Sequence, residues 1–132
     1  MTNPECLKLN IDIPNNKNVS YPIFIGTDTL KIAGKYVKEY TSSKKLLLVS
    51  NDVVYPLYGE QVKKSLEASN FIVESIILPD GEDYKNLDIF KQILDKAIDL
   101  KLERKDSIVA LGGGVIGDMA GYAASSYLRG IN

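Results

Sequence analysis

The spacing of apolar residues changes along the chain between a period of two and a period near 3.6, which predicts strands and helices in turn. Apolar and polar positions alternate at 7–13, and a second short apolar run follows at 21–25. The polar cluster at 15–18 between them is typical of a turn. We therefore predict that the chain begins with two strands joined as a hairpin.

A short helix and a buried strand are predicted next. Apolar residues at helical spacing occupy 30–37, with Asp28 or Thr29 as the N-cap. The continuous apolar run Leu46–Val49 ends at polar residues 50–52. A strand buried on both faces of a parallel sheet has this composition.

The following segment has the pattern of a helix and then a strand. Pro56 suits a first helical turn, and apolar residues then repeat every four positions down to residue 70, namely Val54, Tyr58, Val62 and Leu66. Residues 71–78 favour a strand because β-branched and aromatic types dominate. The strand, helix, strand order predicts parallel pairing.

A second such unit completes the pattern. Asn86 is the expected cap of an amphipathic helix over 87–98, and 107–111 is the next strand. Gly112 begins a turn into a helix whose inner face carries Ile116, Ala120, Ala123 and Tyr127. We predict an α/β, Rossmann-like fold for 1–132, one domain with a mostly parallel sheet and flanking helices. No closing strand follows, so we expect a truncated domain.

The turn after the last predicted strand carries a phosphate-binding pattern. Gly112, Gly114 and Gly117 match G-x-G-x-x-G in the required context, between a strand and a helix. Glycines let the backbone approach a pyrophosphate, and free N–H groups at the helix start bind its oxygens. Gly113, Gly114 and Val115 would supply these groups. The alternative is close packing of the helix on the sheet through its glycines.

Other candidate residues lie at the same predicted edge of the sheet or near it. In the loop 80–85, Glu82 could accept hydrogen bonds from ribose hydroxyls and Lys85 could reach them or a phosphate. Asp118 follows Gly117 and could complement the helix dipole or orient a substrate or nicotinamide. Arg129 could hold a carboxylate or a phosphate through two hydrogen bonds. Each residue is also compatible with an ordinary solvated surface.

Composition excludes several classes of partner. Sixteen basic and seventeen acidic residues are mixed along the chain, which argues against nucleic acid. No apolar stretch is long enough to span a bilayer, so we expect no membrane partner. Cys6 is the only cysteine and is expected to be a packing residue, which favours the cytoplasm. The chain has no histidine, and this limits metal binding.

Three stretches of the sequence resemble the 3-dehydroquinate synthase family. The run from Ala110 to Gly130, with its three glycines, the Val-Ile-Gly-Asp sequence and the ending Tyr-Leu-Arg-Gly, is similar to the family signature. The loop from Leu78 to Lys85 is similar to the family's second cofactor loop, and Tyr21 to Gly26 resembles its early strand. The resemblance therefore runs along the whole chain.

The resemblance implies a role for particular residues and a reaction for the whole enzyme. NAD would be contacted by Asn51, Glu82, Lys85, Gly113, Gly114, Val115 and Asp118. Arg129 would approach the substrate's phosphate or carboxylate. The family converts a seven-carbon keto sugar-acid phosphate, 3-deoxy-D-arabino-heptulosonate 7-phosphate, to 3-dehydroquinate and phosphate in the shikimate pathway. Bound NAD oxidises a ring hydroxyl, and the hydride returns after phosphate is eliminated.

The resemblance also implies parts that this chain lacks. A divalent metal, zinc or cobalt, is bound in the family by a glutamate and two histidines of a helical second domain. We therefore expect the metal only in the full-length enzyme, which we expect to be a homodimer. The fragment alone is expected to bind NAD weakly or not at all and to catalyse nothing.

Three alternatives remain open from the sequence. Metal-dependent alcohol and glycerol dehydrogenases share the fold and would carry out net oxidation. Other sugar-phosphate cyclases share most motif positions. A stand-alone nucleotide-binding module would regulate rather than catalyse. Gly117 before Asp118 and the ending at Tyr127–Gly130 favour dehydroquinate as the product.

Overall fold

The computed structural model describes residues 5–14 and 19–132. Its strands and α-helices are β1 (Cys6–Asp12), β2 (Ser20–Gly26), α1 (Ala33–Tyr40), β3 (Lys45–Asn51), α2 (Glu60–Ala68), β4 (Ile72–Leu78), α3 (Leu87–Asp99), β5 (Ser107–Ala110) and α4 (Gly114–Ser126). Short 3-10 segments precede α1 at Thr29–Ile32, precede α3 at Glu82–Tyr84, and follow α4 at Tyr127–Arg129. A π-helical turn, Tyr55–Gly59, precedes α2.

The strands form two separate sheets in the described part of the chain. β1 and β2 pair as an antiparallel hairpin, as predicted, although the predicted turn at 15–18 lies outside the described residues. The other three strands are parallel and lie in the order β4–β3–β5. This confirms the predicted α/β class with a parallel sheet and flanking helices. A parallel sheet brings the carboxyl ends of its strands to one edge.

The central strand β3 explains why the core has two halves. All four residues of Leu46–Val49 have no exposed surface. Because side chains alternate along a strand, Leu47 and Val49 pack with α3 and α4 while Leu46 and Leu48 pack with α2 and β4. The apolar run in the sequence therefore marks a strand that is covered on both faces.

The helix after Pro56 differs from the prediction in its phase. Val62 and Leu66 are buried as expected, but Tyr58 is 46% exposed. The π-helical turn before α2 has a wider spacing than an α-helix, so the four-residue repeat does not extend back through it. Tyr55 packs against the core in place of Tyr58, and a Cβ on Gly59 would collide with the Tyr55 ring.

The predicted helix caps have different outcomes. The Asn86 side chain accepts a hydrogen bond from the Ile89 N–H at 3.0 Å, which confirms it as the cap of α3. Of the two residues predicted to begin the first helix, Asp28 occupies the N-cap position of the Thr29–Ile32 segment, but its side chain makes no capping hydrogen bond. Asp28 instead forms an ion pair with Lys31 at 3.0 Å.

A buried carboxylate fixes the amino-terminal end of the sheet. Asp106 is 4% exposed and accepts hydrogen bonds from the backbone N–H groups of Glu103 at 2.8 Å, Lys45 at 2.9 Å and Lys44 at 3.1 Å. Burial alone would raise the pKa of Asp106, but these three donors together lower it below its ordinary value. The carboxylate thus joins the start of β3 to the loop before β5.

Candidate functional site

The carboxyl edge of the parallel sheet brings together three segments with candidate residues. They are the end of β3 at 50–52, the loop after β4 at 79–85, and the glycine turn after β5 at 112–118. These segments are far apart in the sequence and meet because the three strands run in the same direction. Seven of the eight predicted site residues lie in these segments; Arg129 does not.

Asn51 organises this edge rather than presenting its amide to solvent. It is 4% exposed, and its Oδ1 accepts hydrogen bonds from the N–H groups of Val53 at 3.1 Å and Val54 at 2.7 Å. Its Nδ2 donates to Asp80 Oδ1 at 3.0 Å. The N–H of Asp80 in turn donates to Asp52 Oδ1 at 3.1 Å. The end of β3 and the loop after β4 are therefore held together by side-chain hydrogen bonds.

Asp80 is a residue that the sequence reasoning did not single out. The signal that could have indicated it is its position between Pro79 and Gly81, since Asp in such a turn commonly hydrogen-bonds to nearby groups. Gly81 has a φ of 124°, a backbone angle that residues other than glycine rarely adopt. The turn directs the following residues, including Glu82 and Lys85, along the outside of the edge, where both are exposed.

An ion pair joins this loop to α4. Lys85 Nζ lies 2.7 Å from Asp118 Oδ2, and both side chains are partly open to solvent. The hydrogen bond to Asp118 and the charge of the same carboxylate raise the pKa of Lys85, with a smaller contribution from Glu82. Two candidate residues that are 33 positions apart in the sequence are therefore in direct contact.

The glycine turn leaves open space around the start of α4. Gly113 is the N-cap of the helix and offers no side chain to its first N–H groups. A Cβ built on Gly113, Gly114 or Gly117 would meet nothing within 4 Å in the described part of the chain. These glycines are consequently not required for packing against the described residues. The open space beside these glycines is suited to a bound phosphate.

The packing alternative for this motif is wrong for all but one of its glycines. Gly121, further along α4, also has no atom of the described residues within 4 Å of a built Cβ. At Gly112, by contrast, a Cβ would lie 3.0 Å from Ile116 Cβ, so that position does need glycine for the turn. The exposed side of α4 is thus lined by glycines that the described fold does not use.

Asp118 lies beyond the first turn of α4, which contains no acidic residue. The interpretation of Asp118 as a first-turn partner of the helix dipole is therefore wrong. Its carboxylate is directed to Lys85 instead. An open, mostly apolar cavity of about 270 Å³ adjoins this ion pair, and Phe90, Met119 and Tyr122 are among its lining residues. The Phe90 and Tyr122 ring centroids are 4.5 Å apart.

Arg129 is not brought to the other candidates within this chain. It follows the carboxyl end of α4, and at 1.5 Å per residue the helix separates it from Gly114 by about 20 Å. Leu128 and Arg129 both have positive φ values, 48° and 66°. The chain thus turns sharply after α4 and exposes the guanidinium side chain.

The described residues fit NAD better than they fit a metal. Glycines at the start of a helix allow a pyrophosphate to approach the backbone and accept hydrogen bonds from its free N–H groups. In the described part of the chain, no three His, Cys, Asp or Glu side chains form a group that could hold a metal ion. No helix among residues 5–14 and 19–132 is long and apolar enough to cross a membrane.

Comparison with known structures defines the class of this fold. The chain aligns with 2-deoxy-scyllo-inosose synthase, a structure crystallised with carbaglucose-6-phosphate, NAD+ and Co2+, with a TM-score of 0.75 and 26% identity. The alignment covers 86% of this chain and 31% of that one. The fold is therefore that of the amino-terminal part of a sugar-phosphate cyclase.

Sequence comparison gives the family. Residues 75–132 match the family model for the amino-terminal part of 3-dehydroquinate synthase. The chain is 53% identical to the 3-dehydroquinate synthase of Hydrogenovibrio crunogenus, over 86% of this chain and 31% of the relative. It is 50% identical to the chloroplastic enzyme of Arabidopsis thaliana, over 86% of this chain and 26% of the relative. The chain is therefore similar to the amino-terminal part of the 3-dehydroquinate synthases, and it spans between a quarter and a third of the length of these relatives.

Proposed function

We propose that residues 1–132 form the NAD-binding domain of an enzyme that converts 3-deoxy-D-arabino-heptulosonate 7-phosphate to 3-dehydroquinate and phosphate. The observation that carries this proposal is the Lys85–Asp118 contact, because it joins the loop after β4 to the glycine turn at one edge of the sheet. A nucleotide lying across that edge would touch both segments. The relatives at about half identity favour this reaction over net oxidation of an alcohol.

The pyrophosphate of NAD would lie on the start of α4. The N–H groups of Gly113, Gly114 and Val115 would donate to its oxygens, since N–H groups of a first turn have no partner within the helix. The positive end of the helix dipole favours the same anion. A side chain on Gly113 or Gly114 would occupy the space left open there.

The loop after β4 would hold the remainder of the cofactor. The exposed carboxylate of Glu82 would accept hydrogen bonds from ribose hydroxyls. Lys85 would place a positive charge beside the phosphates or a ribose hydroxyl, and the Asp118 carboxylate raises the pKa of this ammonium group above its ordinary value. Asn51 would contribute by fixing Asp80 and thus the start of this loop.

Asp118 and Arg129 would act on the reacting end of the site. Asp118, held by Lys85, would orient the nicotinamide or the substrate beside it. Arg129 would bind the substrate's phosphate or carboxylate once residues outside this chain complete the site. NAD, when bound, supplies reversible hydride transfer, and the described residues supply binding and orientation. They do not form a site for the family's divalent metal.

Four further expectations remain proposals. We infer a cytoplasmic location from the single cysteine, and a homodimer for the full-length enzyme from the resemblance to the family. The small-molecule substrate of the whole enzyme is likewise inferred from its relatives, which this chain matches over only part of their length. Nucleic acid is not an expected partner, because the charges of the chain are balanced and mixed.

The test combines this chain with the part that it does not contain. NAD would be titrated by calorimetry into this chain and into a fusion of it with the remaining two thirds of the Hydrogenovibrio crunogenus relative. The fusion would then be assayed with zinc or cobalt for phosphate release from the seven-carbon substrate. We expect weak NAD binding by this chain, tighter binding by the fusion, and phosphate release by the fusion only. Release of free NADH from simple alcohols, without phosphate release, would instead support the dehydrogenase alternative.

A further inference from the structure

The turn that follows α4 contains three consecutive residues with positive φ. The angles are 48° at Leu128, 66° at Arg129 and 115° at Gly130. Glycine adopts such angles readily, but leucine and arginine do so only against steric repulsion from their own side chains. Strain of this kind persists where the surrounding structure holds the backbone in place. The contacts around this turn therefore decide where Arg129 lies.

The residues on either side of the strained pair belong to the core, and the pair itself does not. Leu128 is 44% exposed and Arg129 is also exposed, so the core encloses neither side chain. Tyr127, directly before them, is half-buried and packs against the core cluster between the sheet and helices α3 and α4. Ile131 packs against the same cluster. The strained backbone is therefore held from its two ends.

Backbone hydrogen bonds hold the carboxyl end of the turn. The Gly130 N–H donates to the carbonyl oxygen of Tyr127 at 2.8 Å, and the Ile131 N–H donates to that of Ala124 at 2.8 Å. The N–H of Ile108 in β5 donates to the carbonyl oxygen of Asn132 at 2.7 Å. These bonds join backbone atoms only, so they do not depend on which side chains the turn carries.

The amino end of the turn is held by a side chain, the phenol of Tyr127. Its hydroxyl donates to the carbonyl oxygen of Leu102 at 2.8 Å, and that of Ala97 lies 3.4 Å away. Both carbonyls lie at the end of α3 or in the loop that follows it. Burial, with a smaller contribution from Asp106, raises the pKa of Tyr127 and so favours the protonated phenol that donates this bond. The hydroxyl therefore ties the start of the turn to a different helix.

We propose that Tyr127 is a positioning residue for Arg129, because its bond to Leu102 fixes the strained backbone that carries the guanidinium. This role rests on the function proposed for Arg129, which is to bind the phosphate or carboxylate of the substrate. An arginine on a fixed backbone loses less conformational freedom on binding an anion than one on a mobile turn. Without the phenol hydroxyl the aromatic ring would still fill its place in the core. The turn, however, would relax toward ordinary φ values and displace the guanidinium.

The first experiment measures the backbone of the turn in this chain, without substrate or cofactor. In nuclear magnetic resonance, chemical shifts report φ and relaxation reports order. We expect Tyr127→Phe to lose the positive-φ shifts of Leu128 and Arg129, and their order parameters to fall from about 0.85 to below about 0.6. Tyr55→Phe is the matched control, because Tyr55 is also half-buried and its hydroxyl donates to Glu60 Oε1 at 2.9 Å. This control should retain the shifts and the order of the turn. If Tyr127→Phe retains them as well, the proposal is overturned.

The second experiment asks whether the turn acts through Arg129. In the fusion with the remaining two thirds of the Hydrogenovibrio crunogenus relative, KM and kcat for the seven-carbon substrate would be measured for Tyr127→Phe, Arg129→Ala and the double variant. We expect Tyr127→Phe to raise KM by about three- to tenfold and to change kcat by less than about twofold, because a contact to a remote anionic group stabilises the bound substrate and the transition state alike. In the Arg129→Ala background the same change should leave KM where it is, since two residues that act through one contact are not additive. Tyr55→Phe should leave KM unchanged in both backgrounds.

The outcomes distinguish this role of Tyr127 from the function proposed for the site. If Arg129→Ala raises KM and Tyr127→Phe does not, the turn does not position Arg129, while the proposed function stands. A rise in KM for Tyr127→Phe that is equally large with and without the Arg129 guanidinium would also overturn the role of Tyr127, because it would act by another route. If the fusion releases no phosphate, or Arg129→Ala leaves KM unchanged, the function proposed for the site is contradicted. The resonance measurement on this chain then still decides whether Tyr127 fixes the backbone of Arg129.

Discussion

The Lys85 ammonium nitrogen lies 2.7 Å from an Asp118 carboxylate oxygen, and the pair connects the loop after β4 to the helix after β5. Neither residue is buried, so the contact is expected to add little to the stability of the fold. Its position at the edge where the parallel strands end suggests that it orders the two segments for a ligand.

Lys85→Met should therefore weaken NAD binding much more than it weakens the fold. We expect the dissociation constant for NAD to rise by about five- to thirtyfold, because a charge-assisted contact to the cofactor and the tie to Asp118 are both lost. The melting temperature should change little. Lys91→Met is the matched control, since Lys91 forms a similar exposed ion pair with Asp95 at 2.6 Å, away from the sheet edge. Calorimetry of the fusion protein with NAD would measure the effect, and equal losses in both variants would contradict it.

Gly114→Ala should separate cofactor binding from stability. A Cβ at Gly114 meets no atom of the described residues within 4 Å, so the fold should accept alanine, but the methyl group would enter the space expected for the pyrophosphate. We expect at least about tenfold weaker NAD binding with an unchanged or higher melting temperature. Gly121→Ala, further along the same helix and equally unobstructed, should leave NAD affinity unchanged. Loss of affinity in both variants would indicate an effect on α4 as a whole.

Gly34→Ala should destabilise the chain without involving the site. A Cβ at Gly34 would collide with the carbonyl oxygen of Ser65, where α1 crosses α2. The Gly34 N–H also donates to Ser65 Oγ at 3.0 Å, so the two helices cannot separate without losing that bond. We expect a loss of about 1–3 kcal/mol in the free energy of unfolding, measured by urea denaturation. Gly121→Ala, whose Cβ is unobstructed, is the control for stability. If Gly34→Ala loses no more stability than this control, the two helices can move apart easily.

Asp106→Asn should change how stability depends on pH. The pKa of Asp106 is lowered in the folded chain, so its carboxylate stabilises the fold above the unfolded value near 3.8. That contribution is lost as the pH falls through the folded pKa. Asparagine can accept hydrogen bonds at only one of the two oxygen positions, and we expect it to cost about 1–3 kcal/mol at pH 7.

Urea denaturation at pH 7 and at pH 3 would measure this difference. The gap between the original chain and Asp106→Asn should be largest at pH 7 and should narrow at pH 3, as protonation weakens the original carboxylate. If the difference in the free energy of unfolding between the two chains does not depend on pH, the negative charge of Asp106 is not the source of the stabilisation.

The sequence predicted the site unevenly, for reasons visible in particular residues. The motif at 112–118 was found because glycines between a strand and a helix are a local pattern. Asn51 was predicted as a ligand contact, but its amide is occupied by Val53, Val54 and Asp80. Those partners depend on where two separate loops meet. The resemblance to a family identified the residue, and only the structure showed which hydrogen bonds it makes.

The sequence by itself determined the order of strands and helices, the buried central strand, the helix cap at Asn86 and the glycine turn, because each depends on neighbouring residues along the chain. Tertiary structure decided the contact of Lys85 with Asp118, the burial of Asp106 beneath three backbone donors, and the place of Tyr55 rather than Tyr58 in the core. Each of these depends on how distant segments or a π-helical turn are placed in space. Local periodicity carries no information on such placement, since the partners are set by packing across the sheet.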